Sequence, residues 1–300
     1  MIRKKIAFWL LRLANKLNPQ SSGNKSVVTT IQVVGELLKN KTVLITGAAG
    51  QVGGSIAEEI AAQGANLILL DSKPDSGNKL LLKLGQQVLA FIVCDVSKNR
   101  QIDGLCDRLA HLIAPDGKAV NVDILIHAAG IQYERSAGDP MEPHQWDETF
   151  ASNVIGPAYL TERLLKCQST KNPKIQAAIG LQSVLSISSI HQTEVVGWPS
   201  YSSSKAALGM LIKELAVELG PKGVRVNSIA PGWVALDEHQ QPRRSRYSLL
   251  RQQSVSPQSI ARAAVFLSSE TCSPQTSGAS LTIDSAMSLF NHRVDIEYEI

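Results

Sequence analysis

The sequence predicts an α/β chain: a doubly wound parallel sheet of about seven strands, with helices on both faces. Three observations carry this. From Asn40 onward, strand-like apolar runs alternate with helical patterns, the order that builds parallel sheets through helical crossovers. Runs such as Leu67-Ile68-Leu69-Leu70 are apolar without a break, as strands covered on both faces are. The first run passes straight into a glycine-rich turn and then a helical pattern.

Taken in order, the expected strands are Thr42–Thr46, Asn66–Asp71, Val88–Asp95, Val122–His127, Gly180–Ser188, Val224–Ile229 and Ser280–Asp284. Helical periodicity places helices at Gln51–Gln63, Asn99–Ile113, Gln145–Cys167, Ser202–Leu219 and Pro257–Ser268. No repeat or linker divides this region, so residues 40–300 are expected to form a single domain. Within it, a mobile lid is expected over about 237–257 and a tail over 287–300.

Residues 1–39 read differently. Ile2, Ile6, Trp9, Leu10, Leu13 and Leu17 recur at helical spacing, with Lys5, Arg12 and Lys16 along one flank. Pro19 and the polar stretch after it end the pattern. The apolar run from Ile6 to Leu11 is far shorter than the roughly 20 residues that span a bilayer. Two readings stand: an interfacial membrane helix over residues 1–18, or an amphipathic helix docked on its own domain or a second subunit.

The 300 residues are 44% hydrophobic and 19% charged, enough to bury a sizeable core and unlike a disordered chain. Net charge is +4, and five basic residues fall within the first sixteen, which gives no nucleic-acid-binding face. Cys94, Cys106, Cys167 and Cys272 form no C-x-x-C pair and no zinc spacing. Four reduced thiols, no metal and a cytoplasmic setting are expected, with membrane association through residues 1–18 left open.

The first strand runs into Gly47-Ala48-Ala49-Gly50-Gln51-Val52-Gly53. Strand, glycine turn and helix together make a dinucleotide phosphate loop. Gly47 allows the turn, Gly50 close backbone approach to pyrophosphate, and Gly53 close packing of helix on strand. Free N–H groups and the positive helix end then face the phosphates. The second strand ends in Asp71, eighteen residues after Gly53. A carboxylate there accepts from ribose hydroxyls and repels a 2′-phosphate, favouring NAD over NADP, although Lys73 softens the preference.

Tyr201 and Lys205 stand at i and i+4, one face of a helix. A phenol titrates near 10, too high for a base at neutral pH, and a neighbouring ammonium lowers it. The strand ending Ile187-Ser188-Ser189 offers a hydroxyl just upstream.

With these motifs in order, residues 40 to 286 resemble the compact single-domain short-chain dehydrogenases/reductases. The resemblance also rests on Cys94-Asp95-Val96, His127-Ala128-Ala129-Gly130, Asn153-Val154-Ile155-Gly156 and Val226-Asn227-Ser228-Ile229-Ala230-Pro231-Gly232. It implies a Rossmann-type domain and an NAD-dependent oxidoreductase moving a hydride between a secondary alcohol or ketone and nicotinamide. Tyr201 would be the general acid/base, Lys205 would lower its pKa and hold the nicotinamide ribose, and Ser189 would bond the substrate oxygen. Asn153 would anchor a water relay from Lys205. Asp95 and Val96 would meet adenine, and Ala129 and Gly130 the adenosine ribose and cleft floor. Pro231, Gly232 and Val234 would lie at the nicotinamide end, and Gln51 and Val52 in the phosphate loop. Members of this form are dimers or tetramers, so a homodimer or homotetramer is expected, with the helix Ser202 to Leu219 as one candidate face.

The chain departs from the family pattern. Gln51 stands where a glycine is usual, and His127-Ala128 replaces a pair of asparagines whose amides tie neighbouring strands. Leu236 stands where a threonine usually meets the carboxamide. The interval from Ser189 to Tyr201 is one residue short, which leaves Ser188 as an alternative to Ser189. The lid carries Arg243, Arg244, Arg246 and Arg251, either arginine forks for an anionic substrate or a solvated basic loop. His191 and Trp198 are expected to border the substrate. Two further functions stay open: a redox-neutral sugar-nucleotide epimerase or dehydratase, for which the glycine spacing speaks, and a non-enzymatic NAD-binding scaffold.

Overall fold

The computed structural model describes residues 35–74, 77–113, 117, 119–134 and 139–289. The helix expected near the N-terminus and the tail beyond residue 289 lie outside them. Seven parallel strands form one sheet: β1 (Thr42–Thr46), β2 (Asn66–Asp71), β3 (Val88–Val93), β4 (Val122–His127), β5 (Ile179–Ile187), β6 (Arg225–Pro231) and β7 (Ser280–Ile283). Their spatial order is β3-β2-β1-β4-β5-β6-β7. The chain therefore winds out to the β3 edge, returns to the middle and winds out the other way. The reversal lies between β1 and β4, where a crevice opens at the carboxyl ends of the strands.

Alternation of side chains across the pleat explains why these strands are apolar throughout. On β1, Leu44 faces one core, while Val43 and Ile45 face the other. The first core is covered by α3 (Asn99–Asp103), α4 (Leu105–Ala110), α6 (Gly156–Gln168) and α8 (Pro199–Leu219), through residues such as Ile102, Leu109, Leu160, Leu164, Leu208 and Ile212. The second is covered by α1 (Gln51–Ala62) and α9 (Pro257–Ser268), through Ile56, Ile60, Ile260 and Ala264. Each fully buried Leu or Ile contributes about 1.5–3 kcal/mol of transfer free energy. Leu38, numbered with the extension in the sequence reading, is buried in this second core.

Three expectations need correction. The helix expected over Asn99–Ile113 is two helices, α3 and α4, divided at Gly104. The helix expected over Gln145–Cys167 is α5 (Pro143–Phe150), a π-turn over Ala151–Ile155, and α6. Pro157 has no N–H to return to the Asn153 carbonyl, and the widened turn accommodates this at Asn153. Two short helices had no periodic signal: α2 (Asn78–Leu84) and α7 (Pro173–Ala177).

The third correction concerns cysteine. Cys106 on α4 and Cys167 on α6 form a disulfide, their Cα atoms 6.4 Å apart and their positions 61 residues apart in sequence. Cys94 and Cys272 are free thiols. Spacing along the chain carried no sign of the bond; packing of α4 and α6 on one face of the sheet brings the pair together. Among the described residues no helix is long and apolar enough to cross a membrane, and no cluster of residues could hold a metal.

Candidate active site

Two cavities open along the carboxyl ends of the strands and share Ala128, Gly130 and Ile131, so they form one cleft across the switch point. The first, of about 440 Å³, is bounded by Gly47, Gly50, Asp71, Asp95 and Val96. Gly47 has φ +62, and a Cβ there would stand 2.6 Å from the Ala129 Cα. Only glycine allows that backbone and that approach of the β1 and β4 ends. No side chain caps α1 at Gly50, and its first turn holds no acid, so the helix end stays open to an anion.

Asp71 and Asp95 of this cavity are held by backbone N–H groups, while Glu148, which also lines it, accepts from the Tyr133 hydroxyl. Asp71 Oδ2 accepts the Ala49 N–H at 3.0 Å, and Oδ1 accepts the Lys73 N–H at 3.2 Å. Asp71 thus braces the glycine turn from the end of β2. Asp95 Oδ1 accepts from the N–H and hydroxyl of Ser97 at 2.9 and 2.8 Å. Ala129 also lines this cavity, and its N–H donates to Thr46 Oγ1 at 3.2 Å. His127 Nε2 meets Thr161 Oγ1 at 2.9 Å. These contacts tie β4 to its neighbours where asparagine amides were expected to be missing.

The second cavity, of about 500 Å³, is lined by Val52, Ser188, Ser189, His191, Trp198, Tyr201, Lys205, Pro231, Gly232 and Val234, among others. Tyr201 lies in the first turn of α8 and Lys205 one turn on, both reaching the cavity beside the end of β5. The Ser189 side chain faces the Tyr201 phenol across this cavity, and its Oγ accepts the His191 N–H at 3.2 Å. Ser188 Oγ instead donates to Gln192 Oε1 at 3.0 Å. Both serines line the cavity; the Ser188 hydroxyl is committed to Gln192, and Ser189 is the one that acts on the phenol.

Lys205 Nζ donates to the Ile187 carbonyl at 2.9 Å and lies 5.4 Å from the centre of the Tyr201 ring. Burial pushes its pKa down to about 8. Burial also pushes the Tyr201 phenol above its ordinary value, and the Ser189 hydrogen bond opposes that. His191 sits edge-on to Tyr201, ring centres 5.0 Å apart, with Nδ1 3.0 Å from Ser202 Oγ. Burial first, and the Lys205 charge second, hold His191 below its ordinary pKa.

Asn153 is buried behind Gly130. Its Oδ1 accepts the Ile131 N–H at 2.8 Å, and its Nδ2 donates to the Ile131 carbonyl and to Ser204 Oγ, both at 3.0 Å. A Cβ at Gly130 would stand 3.2 Å from Asn153 Oδ1 and 3.6 Å from Lys205 Nζ. Ser204, which sequence reasoning passed over, completes the link from Asn153 to α8. Its only sequence signal was a hydroxyl inside the Tyr201–Lys205 turn.

Gln51, Gly53 and Asn153 do not line either cavity. Gly53 lies beneath the loop, where a Cβ would meet the Gly47 carbonyl at 2.1 Å. None of Arg243, Arg244, Arg246 and Arg251 lines the cleft. Their segment folds back through bridges Leu236–Pro242 and Arg244–Gln253. Arg246 lies over the Tyr247 ring, and Arg251 borders a separate cavity.

Residues 47–288 match the family described as enoyl-(acyl carrier protein) reductase. The chain is 30% identical to 3beta-hydroxysteroid dehydrogenase 1 of Eggerthella lenta, over 84% of this chain and 95% of that protein. It is 31% identical to 7alpha-hydroxysteroid dehydrogenase of Escherichia coli (strain K12), over 81% and 91%. A 3-ketoacyl-(acyl-carrier-protein) reductase from Brucella melitensis, solved with NADH, shares the fold at a TM-score of 0.68 and 24% identity, over 84% and 99%. The chain belongs to the short-chain dehydrogenase/reductase family. Its relatives are oxidoreductases of hydroxyl and keto groups, and the family uses nicotinamide cofactors.

Proposed function

We propose that this chain is an NAD-dependent dehydrogenase/reductase of a secondary alcohol and its ketone, with Tyr201 as general acid/base. The observation that carries the reading is the Tyr201 phenol at the cleft wall, with Ser189 lining the same cavity beside it and Lys205 one helical turn away. Geometry comes first in judging an acid/base, and this phenol can reach a substrate oxygen held by Ser189.

A nicotinamide dinucleotide fits the cleft. Gly47 and Gly50 leave backbone where phosphates need it, Asp71 and Asp95 border the adenosine end, and Pro231, Gly232 and Val234 border the far end. When bound, the cofactor supplies hydride acceptance or donation at the carbinol carbon. The chain's own groups handle the proton. Ser189 holds the substrate oxygen by hydrogen bonding, which stabilises the charge that develops there. Tyr201 takes the hydroxyl proton in oxidation and returns it in reduction. The Lys205 ammonium favours the phenolate against the effect of burial. Asn153, tied to Ile131 and Ser204, holds the π-turn behind Lys205 and would anchor the water relay to solvent.

Asp71 supports NAD over NADP, because its carboxylate repels a 2′-phosphate. A homodimer or homotetramer through α8 is part of the same reading. Met210 and Val217, seven residues apart on that helix, are 55% and 77% exposed.

The test is NADH oxidation with a panel of cyclic and acyclic ketones, with Tyr201→Phe alongside. The wild type should turn over at least one ketone. The variant should lose roughly 10²- to 10⁴-fold in kcat while binding NADH with unchanged affinity. Undiminished turnover by the variant would remove Tyr201 from the mechanism.

A further inference from the structure

We propose that the substrate of this cleft is an uncharged, largely apolar alcohol or ketone, and that the arginine-rich segment after β6 plays no part in holding it. This rests on the dehydrogenase reading, since it assigns a substrate class to the same site.

The walls carry the inference. Beyond the groups assigned to proton transfer and cofactor, the cavity is lined by Ile190, Val196, Trp198, Trp233 and Met287. Val196 and Trp233 are each 41% exposed. Single exposed apolar side chains are ordinary, but these two border one cavity that continues inward over Trp198 and Ile190. A volume of about 500 Å³ falls within the range of small-molecule sites.

Charge excludes the opposite class. Among the described residues, Lys205 is the one lysine or arginine lining this cavity. Its ammonium is buried and donates to the Ile187 carbonyl. Burial, and the Lys205 charge after it, hold His191 below its ordinary pKa. Arg246 is spent on Tyr247, and Arg251 faces a different cavity bounded by Leu250 and Asp284. A carboxylate or phosphate here would lose its water with no fork among the described residues to replace it, a large cost. It would also raise the Tyr201 pKa further. The polar side chains left are uncharged: the Gln132 amide and the Ser188 hydroxyl, the latter bonded to Gln192.

The experiment compares three cyclohexanols that share the reacting carbon and differ at C4: tert-butyl, carboxamide and carboxylate. Initial rates of NAD⁺ reduction give kcat/KM for each. The tert-butyl compound should be best, and the carboxylate at least about tenfold below the carboxamide, which matches it in shape. Equal or faster oxidation of the carboxylate would overturn the assignment and leave the dehydrogenase standing. Val196→Arg should narrow the carboxylate-to-carboxamide gap by about threefold or more, as one added rim charge does; an unchanged gap would mean that C4 does not point to this wall and would also count against the proposal. If none of the three is oxidised, the dehydrogenase reading is judged by the ketone panel above. The substrate class is then decided by calorimetry of the three matching ketones onto the NAD⁺ complex, where reduction cannot occur. Tightest binding of 4-tert-butylcyclohexanone sustains it, and equal or tighter binding of 4-oxocyclohexanecarboxylate overturns it.

Discussion

Asn153 Nδ2 donates to Ser204 Oγ at 3.0 Å, and Ser204 Oγ donates in turn to the Tyr201 carbonyl at 2.7 Å. One buried hydroxyl therefore links the π-turn to the helical turn that carries Tyr201 and Lys205. Ser204→Ala leaves the Asn153 amide with Ile131 and removes its tie to α8. The substitution removes both bonds of the Ser204 hydroxyl, and a buried polar group left unsatisfied costs about 1–3 kcal/mol. The expected result is a several-fold fall in kcat with the NADH dissociation constant unchanged, and recovery in Ser204→Thr. A loss of stability with kcat intact would make Ser204 merely structural.

The pH profile should follow Tyr201 and Lys205 together. Alcohol oxidation needs the phenolate, so its kcat/KM should rise with pH; ketone reduction needs the phenol and should fall as pH rises through the same pKa. Burial raises the Tyr201 pKa and Ser189 opposes the rise; an ammonium at Lys205, 5.4 Å from the ring centre, should oppose it too. Lys205→Met should shift the oxidation limb upward by about one unit or more, while Lys205→Arg should shift it less. Identical limbs in the two variants would show that charge at 205 is not what tunes the phenol.

Folding stability should be sensitive to acid through His127. Burial pushes its pKa down to about 3 in the folded state, against about 6.5 unfolded. Between these values the unfolded chain binds the extra proton. The stabilisation is thus full above the unfolded pKa and is lost as pH falls from about 6.5 toward 3. The slope is up to about 1.4 kcal/mol per pH unit for one site. His127→Asn removes that proton. Urea midpoints at pH 5 and 7.5 should differ less in the variant than in the wild type; equal differences would acquit His127.

The Cys106–Cys167 bond closes a loop over 61 positions, for which chain entropy allows about 4 kcal/mol. The double variant Cys106→Ser, Cys167→Ser should have a lower urea midpoint than the oxidised wild type and no response to reductant. A wild-type midpoint indifferent to dithiothreitol would refute a stabilising bond.

Cofactor choice should turn on Asp71. Asp71→Asn keeps an acceptor for the Ala49 N–H and removes the charge; Asp71→Ala removes both. Each should raise NADPH use relative to NADH, by about tenfold as estimated for one like-charge contact of 1–2 kcal/mol. Only Asp71→Ala should also weaken NADH binding through the loosened loop. A wild type that already prefers NADPH would reverse the NAD assignment.

Much of this was legible in the chain. The bounds of β1, β2, β4 and α9 coincide with the expected ones, because buried parallel strands and a well-capped helix announce themselves in apolar runs and punctuation. The glycine turn, Asp71 and the Tyr201–Lys205 spacing are local, and local geometry is what sequence patterns encode. The breaks at Gly104 and at the Asn153 π-turn were not, since the apolar period continues across both.

What the sequence by itself determined is the alternating sheet, the phosphate turn and the residue types of the site. The tertiary structure alone decided the pairings between distant segments. It brought Cys106 to Cys167, Ser204 to Asn153, and Ser189 rather than Ser188 to the Tyr201 phenol. It also kept the four arginines out of the cleft, which decides between the two readings that their place in the chain left open. The physical reason is common to all of these. A side chain's partner is set by which helices pack on which face of the sheet and by the direction each strand end points, and neither is a property of neighbours in sequence.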